Sequence, residues 1–290
     1  MTSNGFAPLP IGEAERIAGL SLVEDLAGGV DVTTDATIAA DAVATGQIVA
    51  RADGVLAGMP VARAVFAAVT AMGLGAVTLT EHRKDGDRVR RGDVIAEVSG
   101  PTRAILVAER NALNVLTMAS GVATATAAWV AALDGSGAVV RDTRKTMPGL
   151  RSLQKYAVRC GGGWNHRLSL TDQALIKDNH VLAAGGVVPA LRAVRAMRPD
   201  VFCKVECTQV EQVEQACAAG AQLVLLDNMS TDQMRESVLI AKRYGTRTEA
   251  SGGLTLDNAA EVAATGVDYL AVGALTHSAP ALDIALDLLG

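Results

Sequence analysis

The sequence is poor in aromatic residues, carries no net positive charge and has no closely spaced cysteine pair. Aromatic residues make up 3 % of the 290 residues and alanine accounts for 52. The core must therefore be built from small and aliphatic side chains. The 31 acidic and 26 basic residues give a net charge of −5. This balance argues against a nucleic-acid partner, because such proteins need a basic surface to displace counterions.

The four cysteines contain no C-x-x-C motif; they are Cys160, Cys203, Cys207 and Cys217. This spacing favours a reduced, cytoplasmic setting over a disulfide framework or a zinc site. Residues 1–10 lack the basic and apolar segments of a signal peptide. The most apolar stretch, 119–133, is rich in Thr and Ser and falls short of the ~20 apolar residues that span a bilayer. We therefore expect no membrane partner.

Positive charge is concentrated in one block, residues 141–180. The block has eight Lys or Arg and three Asp, for a net charge of +5, whereas the other 250 residues carry −10. It also contains His166 and His180. A cationic block in an acidic chain indicates a small polyanionic ligand bound at one place.

The first third of the chain predicts an α+β region with antiparallel strands. Helices are expected over 12–27 and 61–72, and strands over 47–53, 55–57, 77–81 and 94–98. Residues 82–100 also resemble the hairpin of a biotinyl or lipoyl carrier domain. That hairpin needs a lysine at its tip, and no lysine is suitably placed here, so a polar turn in a structural sheet is the better interpretation.

The remaining sequence predicts parallel βα units. Two helices, 103–118 and 122–133, with a break at Gly121, precede six short apolar strands: 138–141, 174–177, 202–206, 223–226, 246–250 and 269–272. A full eight-stranded barrel takes ~250 residues, so we expect an α/β fold with an incomplete barrel of about six parallel strands. An open doubly wound sheet is the alternative. No G-x-G-x-x-G follows a strand, which weakens a dinucleotide-binding interpretation.

Polar or glycine residues follow or end each of these strands, where the active sites of α/β proteins lie. They are Asp142 to Lys145, Lys177 to His180, Glu206, Asp227-Asn228, Ser251 to Gly253, and Gly273. Glycine lets backbone N–H groups approach a phosphate, although it also ends strands for steric reasons. Glu206 and Asp227 are of the kind that hold Mg²⁺ with substrate phosphates, or they form salt bridges with neighbouring cations.

The cations divide into two groups. Arg144, Lys145, His166, Arg167 and Lys177 are suited to bind carboxylates. Arg151, Lys155 and Arg159 are spaced at i, i+4 and i+8, which is typical of a solvated helix face. By strand alternation Lys204 and Glu206 share one face, and the cysteines on either side are expected to be buried small hydrophobes.

Several runs of sequence are highly specific. In the charged block they are DTRKTMPGLR (142–151), KYAV (155–158), GGGWNHR (161–167) and LIKDNH (175–180). Shorter runs lie at 24–25, 31–34, 109–111, 205–206, 226–228, 251–254 and 272–277. Together they resemble the quinolinate phosphoribosyltransferase family over nearly the whole chain. Met147, often Thr in that family, and Ser169, often Gly, depart from the pattern without removing a charge.

The resemblance implies an N-terminal α/β sandwich domain, 1–118, on which a C-terminal helix over 281–290 packs, and a barrel domain, 119–280. It also implies a homodimer in which Arg110 reaches the active site of the partner subunit. From the sequence alone, Arg110 reads as a solvated helical arginine.

The implied reaction transfers phosphoribosyl from 5-phosphoribosyl 1-diphosphate (PRPP) to quinolinate with decarboxylation, in NAD biosynthesis. Arg110, Arg144, His166, Arg167 and Lys177 are expected to hold quinolinate, with Thr143 and Lys145 near the substrates. Lys145, Lys177, Glu206 and Asp227 are the expected catalytic residues, and Glu206 and Asp227 the ligands of Mg²⁺. The PRPP phosphate is expected at Ser251, Gly252, Gly253, Val272, Gly273 and Ala274.

Other functions fit parts of the pattern. A phosphoribosyltransferase for nicotinate, or a molybdenum-transport-associated relative, could share the phosphate loops, but the full set of cations favours a substrate with two carboxylates. A Schiff-base aldolase could use Lys177 at its strand end, although an imine lysine gains little from several neighbouring arginines. A non-catalytic carrier module lacks its modified lysine.

Overall fold

The computed structural model describes residues 7–289. Its α-helices are α1 Ile11–Leu26, α2 Val32–Thr37, α3 Met59–Val69, α4 Thr102–Ala132, α5 Arg151–Cys160, α6 Asp178–Ala184, α7 Val187–Met197, α8 Val210–Ala218, α9 Thr231–Tyr244, α10 Ala259–Ala263 and α11 Ala274–His277. A π-helical turn, Thr70–Leu74, follows α3. The strands are β1 Val43–Ala50, β2 Gly54–Val55, β3 Thr78–Glu81, β4 Arg88–Val89, β5 Val94–Pro101, β6 Val139–Arg141, β7 Ala174–Ile176, β8 Cys203–Cys207, β9 Leu223–Asp227, β10 Arg247–Ser251, β11 Tyr269–Ala271 and β12 Ile284–Leu289.

The chain forms two compact units. The first comprises the described parts of Met1–Ala127, Thr146–Gly162 and Thr276–Gly290, and the second comprises Ala128–Lys145 and Gly163–Leu275. The predicted domains, 1–118 and 119–280, place residues 146–162 with the barrel, whereas they group with the N-terminal unit here.

The first unit is built on an antiparallel sheet with the strand order β12-β1-β5-β3. The predicted antiparallel pairing of the N-terminal strands is thus confirmed. The predicted C-terminal helix over 281–290 is wrong, because β12 pairs with β1 along its whole length. Leu286 and Leu288 alternate with Asp287, which is the period of a strand.

Helix α4 runs without interruption from Thr102 to Ala132, so the predicted break at Gly121 is wrong. Gly121 is required for a different reason: a Cβ there would overlap the backbone of Pro280 and Ala281, which cross the helix at this point. By length and composition alone, the continuous helix could cross a membrane. The expectation that the apolar stretch is too short to span a bilayer therefore does not hold for α4. Half of its most apolar window is buried inside the protein, as in a core helix.

The second unit contains a parallel sheet of six strands in the order β6-β11-β10-β9-β8-β7. All pairs are parallel, as predicted. Within residues 7–289, β6 and β7 are the edge strands and do not pair with each other, so the barrel is incomplete. Cys203, Val205 and Cys207 on one face of β8 are buried. All four cysteines are free and buried, and burial raises the pKa of Cys203 to about 11, which confirms a packing role.

Candidate active site

Parallel pairing brings the C-terminal ends of the strands to one edge of the sheet. Asp227 at the end of β9 is level with Ser251 of β10, which is level with Ala271 of β11 and, through it, with Arg141 of β6. The loops that follow these residues carry most of the predicted site. The sequence-based expectation that the polar groups meet at one edge of the second unit is therefore met by the sheet register.

Asp142 organises the loops beside β6. Its side chain is fully buried, and its carboxylate accepts hydrogen bonds from the backbone N–H of His166 at 2.8 Å and from the amide of Asn165 at 2.6 Å. The backbone of Trp164 bridges Arg141 in a parallel register. Residues 142–145 and 164–167 are thereby held next to each other, which explains why both charged runs contribute to one site.

Among the predicted cations, Arg144 and Arg167 lie near enough for their charges to interact. Arg167 is nearly buried, and its pKa is lowered by burial and then by the nearby charge of Arg144. The Nε atoms of both arginines are buried and have no hydrogen-bond partner in the described part of the chain. Two arginines that repel each other in a low-dielectric setting favour an anionic ligand between them. Lys145 is exposed, and its backbone N–H donates to Thr143 Oγ1 at 3.0 Å.

Glu206 and Asp227 end neighbouring strands. Lys177 Nζ lies 3.4 Å from Glu206 Oε2, so the salt bridge considered as the alternative for Glu206 is present. Asn228 Nδ2 donates to Asp227 Oδ2 at 2.8 Å. Residues 7–289 contain no group of three or more His, Cys, Asp or Glu placed to hold a metal ion.

The loop after β10 requires glycine. Gly252 has φ +83°, and a Cβ there would overlap the side-chain amide of Asn228. Asn228 itself is left-handed, with φ +54°, and its N–H donates to Ser251 O at 2.9 Å. Gly253 is also left-handed and faces open space. The next helix, α10, begins only at Ala259.

The loop after β11 differs. Val272 is buried, so it can offer a ligand only its backbone, and the short helix α11 begins directly at the exposed Ala274. Gly273 between them is half-buried.

The remaining cations singled out in the sequence lie in different environments. Arg110 is exposed on α4 in the first unit, and its role stays a prediction. The solvated face predicted for α5 is wrong for Lys155, which is 1 % exposed. Arg151 Nε donates to Thr146 Oγ1 at 2.9 Å, and the Arg159 guanidinium lies 5.8 Å from the ring centre of Tyr156.

A buried charged cluster lies further from the C-terminal ends of the strands. Glu249 is two residues before Ser251 in β10, and Lys204 is two residues before Glu206 in β8. Glu249 of β10 is fully buried and faces Lys204 of β8, Arg141 of β6 and His166, at 3.6, 3.5 and 3.5 Å respectively. Burial lowers the pKa of Lys204 to about 8. Of these four residues, only His166 was predicted as a site residue. The signal was present, because Glu249 and Lys204 interrupt strands that otherwise read as buried.

Known proteins that are similar to this chain in sequence and in structure share one family description. A family model described as quinolinate phosphoribosyl transferase, C-terminal domain, matches residues 122–287, and the corresponding N-terminal domain matches 31–120. A nicotinate-nucleotide pyrophosphorylase [carboxylating] from Mycobacterium leprae is 51 % identical, with 92 % of this chain and 94 % of the relative covered. The human protein of that name is 40 % identical, with 82 % and 80 % covered. The structure of the nicotinate-nucleotide pyrophosphorylase from Francisella tularensis superposes with a TM-score of 0.91 at 36 % identity, covering 97 % of this chain and 98 % of that one.

Proposed function

Because the chain belongs to the quinolinate phosphoribosyltransferase family, we propose that the cationic strand ends of its parallel sheet bind quinolinate beside PRPP. The enzyme transfers phosphoribosyl from PRPP to quinolinate and releases diphosphate and CO₂, giving nicotinate mononucleotide for NAD biosynthesis. The observation that carries the assignment of the site is that the Nε atoms of Arg144 and Arg167 are buried and have no hydrogen-bond partner within residues 7–289. Burial, and then the charge of Arg144, lowers the pKa of Arg167.

The two carboxylates of quinolinate supply the negative charge that balances Arg144 and Arg167. They are bound by Arg144, Arg167 and Lys177, with His166 beside them, since arginine can grip a carboxylate by two parallel hydrogen bonds. Lys145 lies near both substrates. In a homodimer, Arg110 of the partner subunit completes the set.

Glu206 and Asp227 suit Mg²⁺ by their chemistry. Magnesium is usually held through one or two carboxylates together with substrate phosphates, so two carboxylates without a third protein ligand fit a site that PRPP completes. Bound there, Mg²⁺ would neutralise charge on the diphosphate. Lys177, which pairs with Glu206 in this structure, is the cation of this pair that is assigned to quinolinate.

The phosphate of PRPP is assigned to the two glycine loops. Ser251, Gly252 and Gly253 offer backbone N–H groups and a hydroxyl beside β10. Gly273 and Ala274 offer backbone N–H groups beside β11, next to Val272, whose own N–H donates to Arg141 O at 2.8 Å. The support is the left-handed backbone at Gly252 and Gly253, which leaves no side chain in the way of a phosphate.

The chemistry then follows from position and charge. The bond from the ribose anomeric carbon to diphosphate breaks, and the pyridine nitrogen of quinolinate forms the new bond to that carbon. The resulting pyridinium accepts the electron pair left by departing CO₂, and the ring carbon takes a proton. The chain's residues hold the reactants in line and offset their charges, which can supply much of the rate enhancement.

Labelled substrate tests the reaction. With carboxyl-labelled quinolinate and Mg²⁺, we expect labelled CO₂ only when PRPP is present. Absence of label, with turnover of nicotinate in its place, would assign the chain to the nicotinate-using alternative.

Subunit mixing tests the dimer. An Arg110→Ala variant and a Lys145→Ala variant should each be inactive and should recover activity when mixed, because one site of the mixed dimer holds both native residues. No recovery would place Arg110 in its own subunit's site or outside the site. We assign the enzyme to the cytoplasm, with no nucleic-acid or membrane partner.

A further inference from the structure

Glu249 is the one acidic member of the buried cluster in the second unit. Its Oε2 lies 3.5 Å from His166 Nε2 and 3.6 Å from Lys204 Nζ, and its Oε1 lies 3.5 Å from Arg141 Nη1. Both Glu249 and Lys204 have fully buried side chains. A buried anion contacting two permanent or near-permanent cations is held firmly in one place, since moving it would leave those charges uncompensated.

The contacts of His166 fix the position of the proton on its ring. The backbone N–H of Arg167 donates to His166 Nδ1 at 2.8 Å, so Nδ1 carries a lone pair. Burial lowers the pKa of His166, which favours the neutral ring. The single proton of that ring then lies on Nε2, the nitrogen that faces Glu249.

The same contacts connect Glu249 to a predicted substrate ligand. The His166 ring is 4 % exposed and is held on one side by Glu249 and on the other by the backbone of Arg167. Rotation of the ring would break the hydrogen bond to the Arg167 N–H and displace the backbone that carries its guanidinium. Small displacements of this kind weaken a site that depends on orientation.

We propose that Glu249 is a positioning residue of the quinolinate site, which holds His166 in one ring orientation with the proton on Nε2 and thereby sets the backbone of Arg167. Arg141 and Lys204 anchor Glu249. The assignment of quinolinate to this site rests on the proposed function, whereas the effect on His166 is a property of the ligand-free protein.

The experiment compares Glu249→Gln with the native enzyme by two measurements. The first is the ¹⁵N spectrum of the histidine ring nitrogens without ligand, in which His166 is distinct because His82, His180 and His277 are exposed. The second is calorimetric affinity for quinolinate and for PRPP, measured separately.

We expect native His166 to show a single form with the proton on Nε2. In Glu249→Gln, the substituted side-chain amide has one acceptor oxygen in place of two charged ones, and Lys204 competes for it. We therefore expect a mixture of ring forms, quinolinate affinity at least tenfold weaker and PRPP affinity changed less than twofold. An unchanged histidine spectrum, or an equal loss of affinity for both substrates, overturns the proposal.

Leu225→Ala is the matched control. Leu225 is buried on β9 directly level with Glu249, so its truncation loosens the same layer without touching a charge. We expect a lower melting temperature with the native histidine spectrum and quinolinate affinity within twofold. If this variant loses quinolinate affinity as Glu249→Gln does, the effect is one of packing and the proposal fails.

Two further outcomes are distinguishable. If Glu249→Gln does not fold, the double variant Lys204→Met with Glu249→Leu replaces the buried pair by apolar side chains, an exchange that proteins often tolerate, and the same two measurements apply. If the native enzyme binds no quinolinate, the proposed function fails, and the histidine spectra of native and variant protein still decide the role of Glu249.

Discussion

Two carboxylates, one in each compact unit, show opposite ways of holding a negative charge. Asp85 in the first unit accepts hydrogen bonds from the backbone N–H of Gly58 at 3.1 Å, from that of Met59 at 3.2 Å and from the Tyr156 hydroxyl at 2.7 Å. Burial raises its pKa. Glu249 in the second unit has only longer contacts of 3.5–3.6 Å, yet its pKa is lowered: burial alone would raise it, and His166, Lys204 and Arg141 outweigh that effect.

The difference separates a structural carboxylate from one at a functional site. The partners of Asp85 are neutral and close, and they fix the start of helix α3, so the bonds serve the fold. Two of the partners of Glu249, Arg141 and Lys204, are cations and so outnumber it, and more cations lie at the strand ends. Surplus positive charge in such a region lowers the stability of the fold, and it allows the region to bind anions.

Arg144→Ala should have the largest effect, because it removes surplus charge where the substrate binds. Losing one partner of a desolvated charge pair costs about 3 kcal/mol, so we expect quinolinate affinity to fall about a hundredfold. Calorimetric titration with quinolinate measures this. Arg192→Ala on the exposed face of α7 is the control and should change nothing; quinolinate kinetics unchanged in Arg144→Ala would remove Arg144 from the site.

Asp85→Asn tests the structural side of the comparison. The amide can accept fewer of the three hydrogen bonds than the carboxylate, so we expect the free energy of unfolding to fall by about 1–3 kcal/mol. Denaturant unfolding measures the change, and the affinities for both substrates should stay within twofold. A selective loss of quinolinate affinity would contradict the assignment of Asp85 to the fold alone.

Asp227→Asn tests the carboxylates assigned to Mg²⁺. We expect the Mg²⁺ concentration for half-maximal rate to rise on the order of tenfold, with quinolinate affinity in the absence of Mg²⁺ little changed. Asp232→Asn removes an exposed carboxylate in α9 that pairs with Arg235 and serves as the control. An unchanged Mg²⁺ requirement in Asp227→Asn would place the metal elsewhere.

The pH dependence of stability gives the smallest and sharpest test. A lowered pKa means that folding favours the charged form, so the contribution of Glu249 is present above the unfolded pKa of about 4.3 and is lost as pH falls through the folded value. The free energy of unfolding of the native enzyme should therefore exceed that of Glu249→Gln at about pH 7, and the difference should be smaller at about pH 3.5. Denaturant unfolding at both pH values measures the two gaps, and a gap that widens in acid would reverse the assigned direction.

Much of the fold was predictable because its signals are local. Each parallel strand is a short apolar run, and the polar residues after it, such as Lys177 and Asp227, lie where strand order places them. The failures are non-local. Gly121 reads as a break until Pro280 is found against it, and β12 reads as a helix until β1, over 200 residues away, provides its partner.

The predictable part of the candidate site was the part that stands together in the sequence. Arg144 and Arg167 stand in a charged run, and their type and spacing indicate an anion. Glu249 and Lys204 lie in separate strands, and only the sheet register brings them to one another and to His166. Their role depends on distances that no spacing in the sequence encodes.

The scarcity of aromatic residues has an optical consequence. The chain has two tryptophans: Trp129 is 5 % exposed, whereas Trp164 is 52 % exposed, stands two residues before His166 and lies 6.4 Å from the ring centre of Tyr269. The long-wavelength side of the tryptophan emission therefore comes mainly from Trp164, the indole in water. Trp164 is thus an intrinsic fluorophore near the cations, and the binding of an aromatic anion can be followed by its fluorescence without a label.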